Sequence, residues 1–401
     1  MSASQVSASR RRQILVLGGG YAGTMAANRL SAADDADVVL VNPRPRFVHR
    51  IRLHQWVAGT GTADEDFRHV LNGRVRLVVD TAGRIDAAGR RVELASGAAL
   101  DYDHLVYAIG SSGTPADAID GVAEYGFALG EWEAAQRLRA HLAGIGRTDP
   151  RAPATVIGGG LTGIEMAAEL ADAGVPVRVV CGATLAPSFG ARARQRARRR
   201  LAKLSIEILE DCHVASVGPD TVTIVERGER RVVRSSTTIV AAGFGVPDLA
   251  AASGLSTDAI GRLITDETLT SVDDPRIVGA GDAVAPSGMP FRMSCQAANQ
   301  LGPHAADTVL ARLAGAEPVA VRLAFVGQCT SLGRHGAVIQ STHLDDTPAR
   351  AVVSGRFAAT IKEVVCRSVI WGLRVEGRRP GATPSFGRPR ETGDRGAEVV
   401  A

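Results

Sequence analysis

The sequence predicts an α/β fold in which two similar units follow one another along the chain, each made of a strand, a glycine-rich loop, a helix and a second strand. Two observations support this fold class. The same order of apolar runs, glycines and turn residues occurs twice, and 45% of the 401 residues are hydrophobic. A chain of this length and composition forms about two to three domains with sizeable cores, so a small disulfide module and a wholly disordered chain are excluded.

The two units have nearly the same length and the same order of strand, glycine loop, helix and strand. In the first unit the four parts are Ile14–Leu17, Gly18–Gly23, Thr24–Ser31 and Val38–Val41. In the second they are Ala154–Ile157, Gly158–Gly163, Ile164–Ala173 and Val175–Val180. A chance cluster of glycines would not repeat its flanking strands and helix, so the repeat predicts two copies of one structural unit.

Each glycine loop has the pattern GxGxxG between a strand and a helix, which is typical of dinucleotide binding. The glycines are Gly18, Gly20 and Gly23 in the first loop and Gly158, Gly160 and Gly163 in the second. Glycine lets a pyrophosphate approach the main chain, and the helix that follows offers free N–H groups and a partial positive charge. The alternative for either loop is a tight turn without a ligand. The pair together favours two Rossmann-like domains and two bound dinucleotides.

Three further segments are predicted to be buried strands with glycine at or near their ends. Asp103–Ser111 and Ser236–Gly243 match each other, and each could close one dinucleotide domain and lead to the next. Arg276–Asp282 ends in an acid directly behind glycines. The Asp282 carboxylate would lie over a nucleotide cleft and accept hydrogen bonds from ribityl hydroxyls. The alternative is that Asp282 is a turn residue or a helix N-cap.

Composition limits the partners. Aromatic residues are only 4% of the chain and the net charge is +4, so we expect no nucleic-acid partner. The five cysteines are far apart and show no metal-ligand spacing or CxxC pair, so we expect no metal site and no redox disulfide. We find no secretion signal and no apolar run of about 18 residues, and we therefore expect a cytoplasmic protein.

The order of the motifs resembles a known superfamily. The segments are GGGYAG from Gly18, AIGS from Ala108, GGGLTGIEMAAEL from Gly158, AAG from Ala241 and GAGDA from Gly279. This order resembles the two-dinucleotide, glutathione-reductase-like flavoproteins over about residues 12–320. Within that superfamily, GGGxTGxExAxEL and Cys295–Gln300 (CQAANQ) are similar to the type II NADH dehydrogenases, which are single-chain NADH:quinone oxidoreductases. Their AQxAxQ segment has alanine where this chain has Cys295.

The resemblance implies that FAD is bound non-covalently and that NAD(P)H is the co-substrate. The first loop, with Gly18, Gly20 and Gly23, would bind the FAD pyrophosphate, and Asp282 would hold the ribityl or phosphate end. The second loop, with Gly158, Gly160 and Gly163, would bind the pyrophosphate of NAD(P)H.

The resemblance also implies three catalytic residues. Glu165 would lie near the nicotinamide at the flavin, and Gln296 and Gln300 would border the quinone on the opposite face. The remaining implied cofactor-binding residues are Asn42, Gly110, Gly243, Gln296 and Ala297. Ser294 is predicted to cap a helix whose positive end would stabilise the reduced flavin ring.

Two positions depart from the usual pattern. An acid at the end of each second strand normally binds the adenosine ribose, but this chain has Asn42 and Cys181 there. Asn42 can still donate to and accept from a diol, whereas Cys181 cannot replace a carboxylate. With Gly182 behind it and Arg192 and Arg194 downstream, the second pocket could accept a 2′-phosphate, so NADPH is a candidate as well as NADH.

The predicted domain organisation interrupts one domain with the other. Residues 12–114 and 245–318 form the FAD-binding domain, residues 115–244 form the NAD(P)H-binding domain, and residues 319–377 form a smaller C-terminal α+β domain that faces the acceptor or the membrane. In that last domain we predict strands at Val319–Val326, Gly336–Ile339 and Ala351–Val353 and a helix at Phe357–Leu373. The tail, residues 378–401, is predicted to be disordered.

Two helices carry features with more than one interpretation. The arginine-rich stretch Arg192–Lys203 is a solvated face, or it binds anionic lipid or dinucleotide phosphates. The apolar stripe of Phe357–Leu373 packs on its own domain, or it lies in a membrane interface. Peripheral association with the inner face of the cell membrane and a homodimer therefore both stay open.

The sequence thus predicts an NAD(P)H dehydrogenase that passes electrons through FAD to a quinone or quinone-like acceptor. Two alternatives remain. One is a reductase that feeds an iron–sulfur partner such as ferredoxin, and the other is a flavin-bound redox sensor with low turnover.

Overall fold

The computed structural model describes residues 10–113, 118–144, 152–384 and 388–389. Its elements follow the order that the repeated unit predicts, and the two units form two separate parallel sheets. Of the predicted tail, residues 378–401, the structure describes residues 378–384 and 388–389, and the others lie outside the described residues.

The first part of the chain builds most of the first sheet. Its elements are β1 (Arg12–Leu17), α1 (Tyr21–Leu30), β2 (Ala36–Asn42), β3 (Arg46–Val48), α2 (Leu53–Val57), β4 (Asp64–Asp66), α3 (Phe67–Val70), β5 (Arg76–Val79), β6 (Ala82–Asp86), β7 (Arg91–Leu94), β8 (Ala99–Asp101) and β9 (His104–Tyr107). β1 pairs in parallel with β2 on one side and β9 on the other. These strands are buried because α1 packs against one face of the sheet and β6 and β7 pack against the other, which explains their unbroken apolar sequences.

The second unit repeats this arrangement. Its elements are α4 (Val122–Tyr125), β10 (Gly126–Ala128), α5 (Trp132–Gly144), β11 (Ala154–Ile157), α6 (Leu161–Asp172), β12 (Val177–Val180), α7 (Ala191–Lys203), β13 (Glu207–Leu209), β14 (Cys212–Val217), β15 (Thr221–Glu226), β16 (Glu229–Arg234) and β17 (Thr237–Val240). The parallel sheet has the order β10-β17-β11-β12-β13, and β14–β16 form an antiparallel meander beside it.

The chain then returns to the first sheet. The elements are α8 (Leu249–Ala252), β18 (Leu263–Thr265), β19 (Ile277–Gly279), β20 (Val284–Pro286) and α9 (Cys295–Leu313). β19 pairs in parallel with β9, so the first sheet has the order β19-β9-β1-β2-β5. α1 lies between this sheet and α9, and all of its residues are buried.

The C-terminal part is a small sheet covered by a long helix. Its elements are β21 (Arg322–Leu323), β22 (Gly327–Ser331), β23 (Ala337–Thr342), β24 (Pro348–Ser354), α10 (Arg356–Arg378) and β25 (Arg388–Pro389). β22, β23 and β24 are antiparallel neighbours, and α10 packs on them and on α1. The prediction of an α/β fold with two Rossmann-like units and a smaller α+β part is confirmed.

One predicted strand is wrong. Only Arg322 and Leu323 of Val319–Val326 lie in a strand. The backbone of residues 324–327 instead bonds to glutamine side chains of α9, which compete with strand pairing. No helix among the described residues is both long enough and apolar enough to cross a bilayer.

Several arginines of α7 form contacts with other parts of the fold. Arg196 donates to Val352 O, Arg200 donates to Leu332 O, and Arg198 forms an ion pair with Glu210. These bonds attach α7 to the C-terminal sheet and to the end of β13. Arg192, Arg199 and Lys203 remain on the exposed face of the helix.

Candidate dinucleotide and acceptor site

The first glycine loop has the backbone shape that a pyrophosphate requires. Gly18 has φ of 98°, and a Cβ there would lie 2.4 Å from Ala108 O. A Cβ on Gly23 would lie 1.8 Å from Gly18 O, so only glycine lets α1 start this close to the loop. Gly20, directly before α1, has no atom within 4 Å of where its Cβ would be. The loop is closed on its protein side and open where a ligand would approach.

The second loop repeats this geometry. Gly158 has φ of 119° and a Cβ there would lie 2.6 Å from Ala241 O. A Cβ on Gly163 would lie 2.1 Å from Gly158 O, and again the space beside Gly160 is open for 4 Å. Because both loops have the same closed side and the same open side, FAD and NAD(P)H each fit one of them.

Three residues after β9 and after β17, the strands next to the loops, lie glycines that face open space. Gly110 and Gly243 have φ of 73° and 72°, and neither has an atom within 4 Å of where a Cβ would lie. Directly after them the two crossovers pair with each other, because Ser112 N donates to Gly245 O over 2.9 Å and Gly245 N donates to Ser112 O over 3.2 Å. The two connections between the sheets therefore lie side by side.

The two unusual residues at the strand ends lie against the loops. Gly19 N donates to Asn42 Oδ1 over 2.8 Å, and Asn42 Nδ2 donates to Arg44 O over 2.7 Å. Asn42 thus holds the first loop in place. In the second unit, Cys181 Sγ lies 2.4 Å from where a Gly159 Cβ would be. Burial raises the pKa of Cys181 to about 12, so this end of the second loop carries an uncharged thiol.

Asp282 lies at the centre of a network that joins three segments. Ser111 Oγ donates to Asp282 Oδ2 over 2.8 Å, and Ser294 N donates to Asp282 Oδ1 over 3.1 Å. Arg50 Nη1 donates to Ser111 O over 2.7 Å, and Arg50 Nε donates to Gly130 O over 3.1 Å. The carboxylate bridges the end of the first sheet and the start of α9, and each oxygen keeps a second lone pair for a ligand hydroxyl.

The start of α9 is built as the sequence predicts. Ser294 is its N-cap, and its Oγ accepts a hydrogen bond of 3.2 Å from Ala297 N. This confirms the predicted cap. With the Gln296 amide turned so that its nitrogen faces a carbonyl oxygen, Nε2 donates to Gly327 O over 3.2 Å and Oε1 accepts from Val326 N over 3.0 Å.

Gln300 bonds to the same stretch of chain. Its Nε2 donates to Ala324 O over 3.1 Å, and Ala324 N donates back to Oε1 over 3.0 Å. The two glutamines that the resemblance places at the quinone thus both hold the backbone that leads into β22.

Glu165 lies in a buried ion pair. Its Oε1 is 3.1 Å from Lys362 Nζ and accepts a hydrogen bond of 3.0 Å from Ser331 N. Burial has the largest single effect and would raise the pKa of Glu165, but Lys362, His54 and the hydrogen bond from Ser331 N together outweigh burial and lower the pKa. Burial would lower the pKa of Lys362, yet Glu165 raises it well above its usual value. The two charges therefore persist together inside the protein.

His54 completes this cluster as a neutral group. His54 Nδ1 is 3.5 Å from Glu165 Oε2, and its Nε2 is 3.3 Å from Ser331 Oγ. Burial lowers the pKa of His54 to about 4 although Glu165 opposes the shift. At neutral pH the cluster therefore holds one ammonium, one carboxylate and one uncharged imidazole.

No individual role was predicted for Lys362, Ser331 or Arg50, although Arg50 lies in the segment His49–Gln55, which follows the first unit and could line the flavin. One signal for Lys362 was present, since the chain contains only two lysines, Lys203 and Lys362, among 46 basic residues. A lysine on the apolar helix of so arginine-rich a chain indicates a position where a compact ammonium is needed. No comparable signal marks Ser331 or Arg50, because both bond through contacts between distant segments.

Two dinucleotide loops on two parallel sheets, joined by paired crossovers, define a two-dinucleotide oxidoreductase. The chain matches the pyridine nucleotide-disulphide oxidoreductase family over residues 12–302, and it belongs to this family. The predicted family and the predicted FAD and NAD(P)H chemistry are thereby confirmed, and the chain is an oxidoreductase.

Individual relatives agree with this assignment. An NADH dehydrogenase-like protein of Mycobacterium tuberculosis is 31% identical over 381 residues, which cover 88% of this chain and 92% of the relative. A type II NADH:quinone oxidoreductase of Staphylococcus haemolyticus is 28% identical over 400 residues, covering 89% and 95%. The solved structure of NDH2 from Plasmodium falciparum in complex with NADH superimposes with a TM-score of 0.79 at 17% identity, covering 92% and 97%.

Proposed function

We propose that this chain is an FAD-dependent NAD(P)H dehydrogenase that passes two electrons from NAD(P)H through FAD to a quinone or quinone-like acceptor. One observation carries the proposal. The five-residue strand β22 is held at one end by Gln296 of α9 and at the other by Glu165 of α6. Because α6 starts at the second glycine loop and α9 starts beside Asp282, the two dinucleotide sites converge on this strand. The names of the relatives support the same activity.

Different groups of the described residues would bind the two cofactors. When bound, FAD supplies the chemistry of accepting a hydride and releasing two electrons. The first loop and Asp282 would hold FAD, and the second loop would hold NAD(P)H. The N-terminal end of α9 presents free N–H groups and a partial positive charge, which favours added negative charge nearby.

Lys362 would donate a hydrogen bond to the acceptor. Its ammonium contacts Glu165 and donates to Cys329 O over 3.3 Å, and an ammonium has three donors. The third N–H would donate to a carbonyl oxygen of a quinone. Glu165 keeps the ammonium charged inside the protein, while Gln296 and Gln300 fix the wall that leads into β22. Gln296 and Gln300 are thus proposed as residues of the acceptor side, and Glu165 as the residue that joins Lys362 to the nicotinamide side, where the resemblance places it.

The acceptor is tested by activity without a protein partner. We expect the FAD-loaded protein to oxidise NADH or NADPH when menadione is the only acceptor. Activity that requires added ferredoxin would support the reductase alternative instead. Bound FAD that neither nicotinamide reduces would support the sensor.

The nicotinamide preference is tested at the second loop. The strand β12 is followed by the neutral Cys181, so no carboxylate at this position repels a 2′-phosphate. We propose that NADPH is used as well as NADH. A catalytic efficiency with NADPH far below that with NADH would remove this part of the proposal, and Cys181→Asp is expected to shift the preference towards NADH.

We further propose that α10 attaches the protein to a membrane surface. Its exposed face carries Phe357, Val364 and Trp371, whose exposed fractions are 70%, 60% and 66%. Large apolar side chains repeated on one solvent-facing side of a helix are typical of interfacial helices. Flotation with liposomes tests this, and protein that stays in the soluble fraction with every lipid would contradict it. A homodimer that covers the same face would appear as a doubled mass in light scattering without lipid binding.

A further inference from the structure

A basic cavity lies at the C-terminal end of α10. Its volume is about 480 Å³, and its polar lining comes from Arg68, His69, Asn72, Arg374 and Arg378. The cavity lies between α3 and the last turn of α10, and none of its lining residues belongs to a glycine loop or to the Glu165 cluster. Its size is that of a site for a small ligand.

The cavity has more cations than anions. Arg68 pairs with Asp66, and Arg374 pairs with Glu65. Arg378 is exposed and makes no hydrogen bond or ion pair with any residue that the structure describes. Arg374 Nε is buried and also lacks a partner among those residues. Guanidinium groups with unused donors match the oxygens of a phosphate.

The cavity continues the apolar face of α10. Phe357, Val364 and Trp371 are spaced by seven residues, and Arg378 follows Trp371 by seven more. Residues at this spacing share one side of a helix. One solvent-facing side of α10 therefore carries three large apolar side chains and then an unpaired arginine at the mouth of a basic cavity.

We propose that this cavity binds the phosphate of an anionic phospholipid while the apolar side chains enter the membrane interface. The proposal rests on the membrane association proposed above and names the lipid class and the residues that would recognise it. An interfacial helix places its apolar side chains at the acyl boundary, and a cation at its end then reaches the level of the phosphates. A free phosphate would use the guanidinium groups but not the apolar side chains.

Vesicle binding of the FAD-loaded, full-length protein tests the proposal. The vesicles contain either phosphatidylcholine alone or phosphatidylcholine with phosphatidylglycerol, and binding is read by flotation. Arg378→Gln is compared with Arg367→Gln, a matched control that removes one positive charge from an exposed position of α10 outside the cavity. Tryptophan fluorescence is also measured as vesicles are added. Trp371→Phe identifies how much of the shift in this fluorescence comes from the apolar face of α10.

We expect Arg378→Gln to weaken binding to the phosphatidylglycerol vesicles about tenfold, since a charge-assisted hydrogen bond is lost. Arg367→Gln is expected to weaken it about fivefold or less, as a single charge near an anionic surface does, and high salt should abolish that smaller effect. The Arg378→Gln effect should persist at high salt. Equal effects of the two variants under all conditions would overturn the proposal.

Three further outcomes separate this proposal from the membrane association on which it rests. Protein that binds both vesicle types equally, with no effect of Arg378→Gln, would overturn the phosphate site and leave membrane association standing. Protein that binds neither vesicle would overturn both. A rise in the unfolding temperature with inorganic phosphate alone, lost in Arg378→Gln and without any preference for phosphatidylglycerol vesicles, would assign the cavity to free phosphate and overturn the lipid assignment.

Discussion

At the scale of single residues, the Glu165–Lys362 ion pair is expected to have a large effect on stability. Both side chains are nearly inaccessible to solvent, so neither charge can be hydrated if the other is removed. Lys362→Met is expected to lower the free energy of unfolding by about 3–5 kcal/mol because it leaves a buried carboxylate unpaired. Denaturation by urea measures the change.

The chain supplies its own control for this variant. Lys203, the other lysine, is exposed on α7, so Lys203→Met should change the free energy of unfolding by less than about 0.5 kcal/mol. The double variant Glu165→Gln/Lys362→Met should be more stable than Lys362→Met alone, because it removes the orphaned charge. A Lys362→Met protein as stable as Lys203→Met would show that the pair is not buried.

The buried histidines predict how stability depends on pH. Burial lowers the pKa of both His49 and His54 to about 4, from 6.5 in an exposed histidine. Between these values the unfolded chain binds more protons than the folded one, so stability is full above pH 6.5 and falls as the pH drops towards 4. At pH 4 each histidine should account for about 3 kcal/mol of the loss.

Replacing one histidine isolates its share. His54→Gln should reduce the decrease in unfolding free energy between pH 7 and pH 4.5, whatever its effect at pH 7. The comparison is made by urea denaturation of both proteins at the two pH values. An unchanged decrease would mean that His54 titrates normally and is not buried beside Glu165.

At the scale of elements, the two glycine loops can be distinguished by one methyl group. Gly20 and Gly160 have ordinary φ values of −78° and −71° and open space beside them, so alanine at either position should fold. Gly20→Ala is expected to weaken FAD binding about tenfold or more, whereas Gly160→Ala should keep FAD and raise the KM for NAD(P)H. Flavin content and initial rates measure the two effects.

Two results would contradict this division. Loss of FAD from Gly160→Ala, with FAD retained in Gly20→Ala, would reverse the assignment of the loops. Gly23→Ala serves as the opposite control, because its methyl group would overlap Gly18 O and the protein should fail to fold.

Local sequence features predicted those elements whose causes are local. The repeated glycines predicted both strand–loop–helix units, and Ser294 predicted the cap of α9, because a serine side chain reaches a backbone N–H three residues later. The prediction of a strand at Val319–Val326 was wrong because Gln296 and Gln300, which are distant in sequence, bond to the backbone of this segment. The roles of these glutamines at a quinone stay predictions.

At the scale of the whole molecule, the chain leaves the first sheet and later completes it with β19. The resemblance predicted this interruption, and the pairing of β19 with β9 accounts for the order of the sheet. What the sequence could not predict is which side chains meet between distant segments. Lys362 reaches Glu165, and Arg50 reaches Ser111 and Gly130, only through the packing of separate units.

The central claim is that one chain holds a flavin and a pyridine nucleotide so that electrons pass between them and on to a small acceptor. Anaerobic titration of the purified protein, followed by visible absorption, tests it most directly. We predict a yellow protein whose flavin absorption disappears on adding one equivalent of NADH or NADPH per flavin and returns when menadione is added. A protein that stays colourless after incubation with FAD, or whose bound flavin neither nucleotide reduces, would contradict the claim.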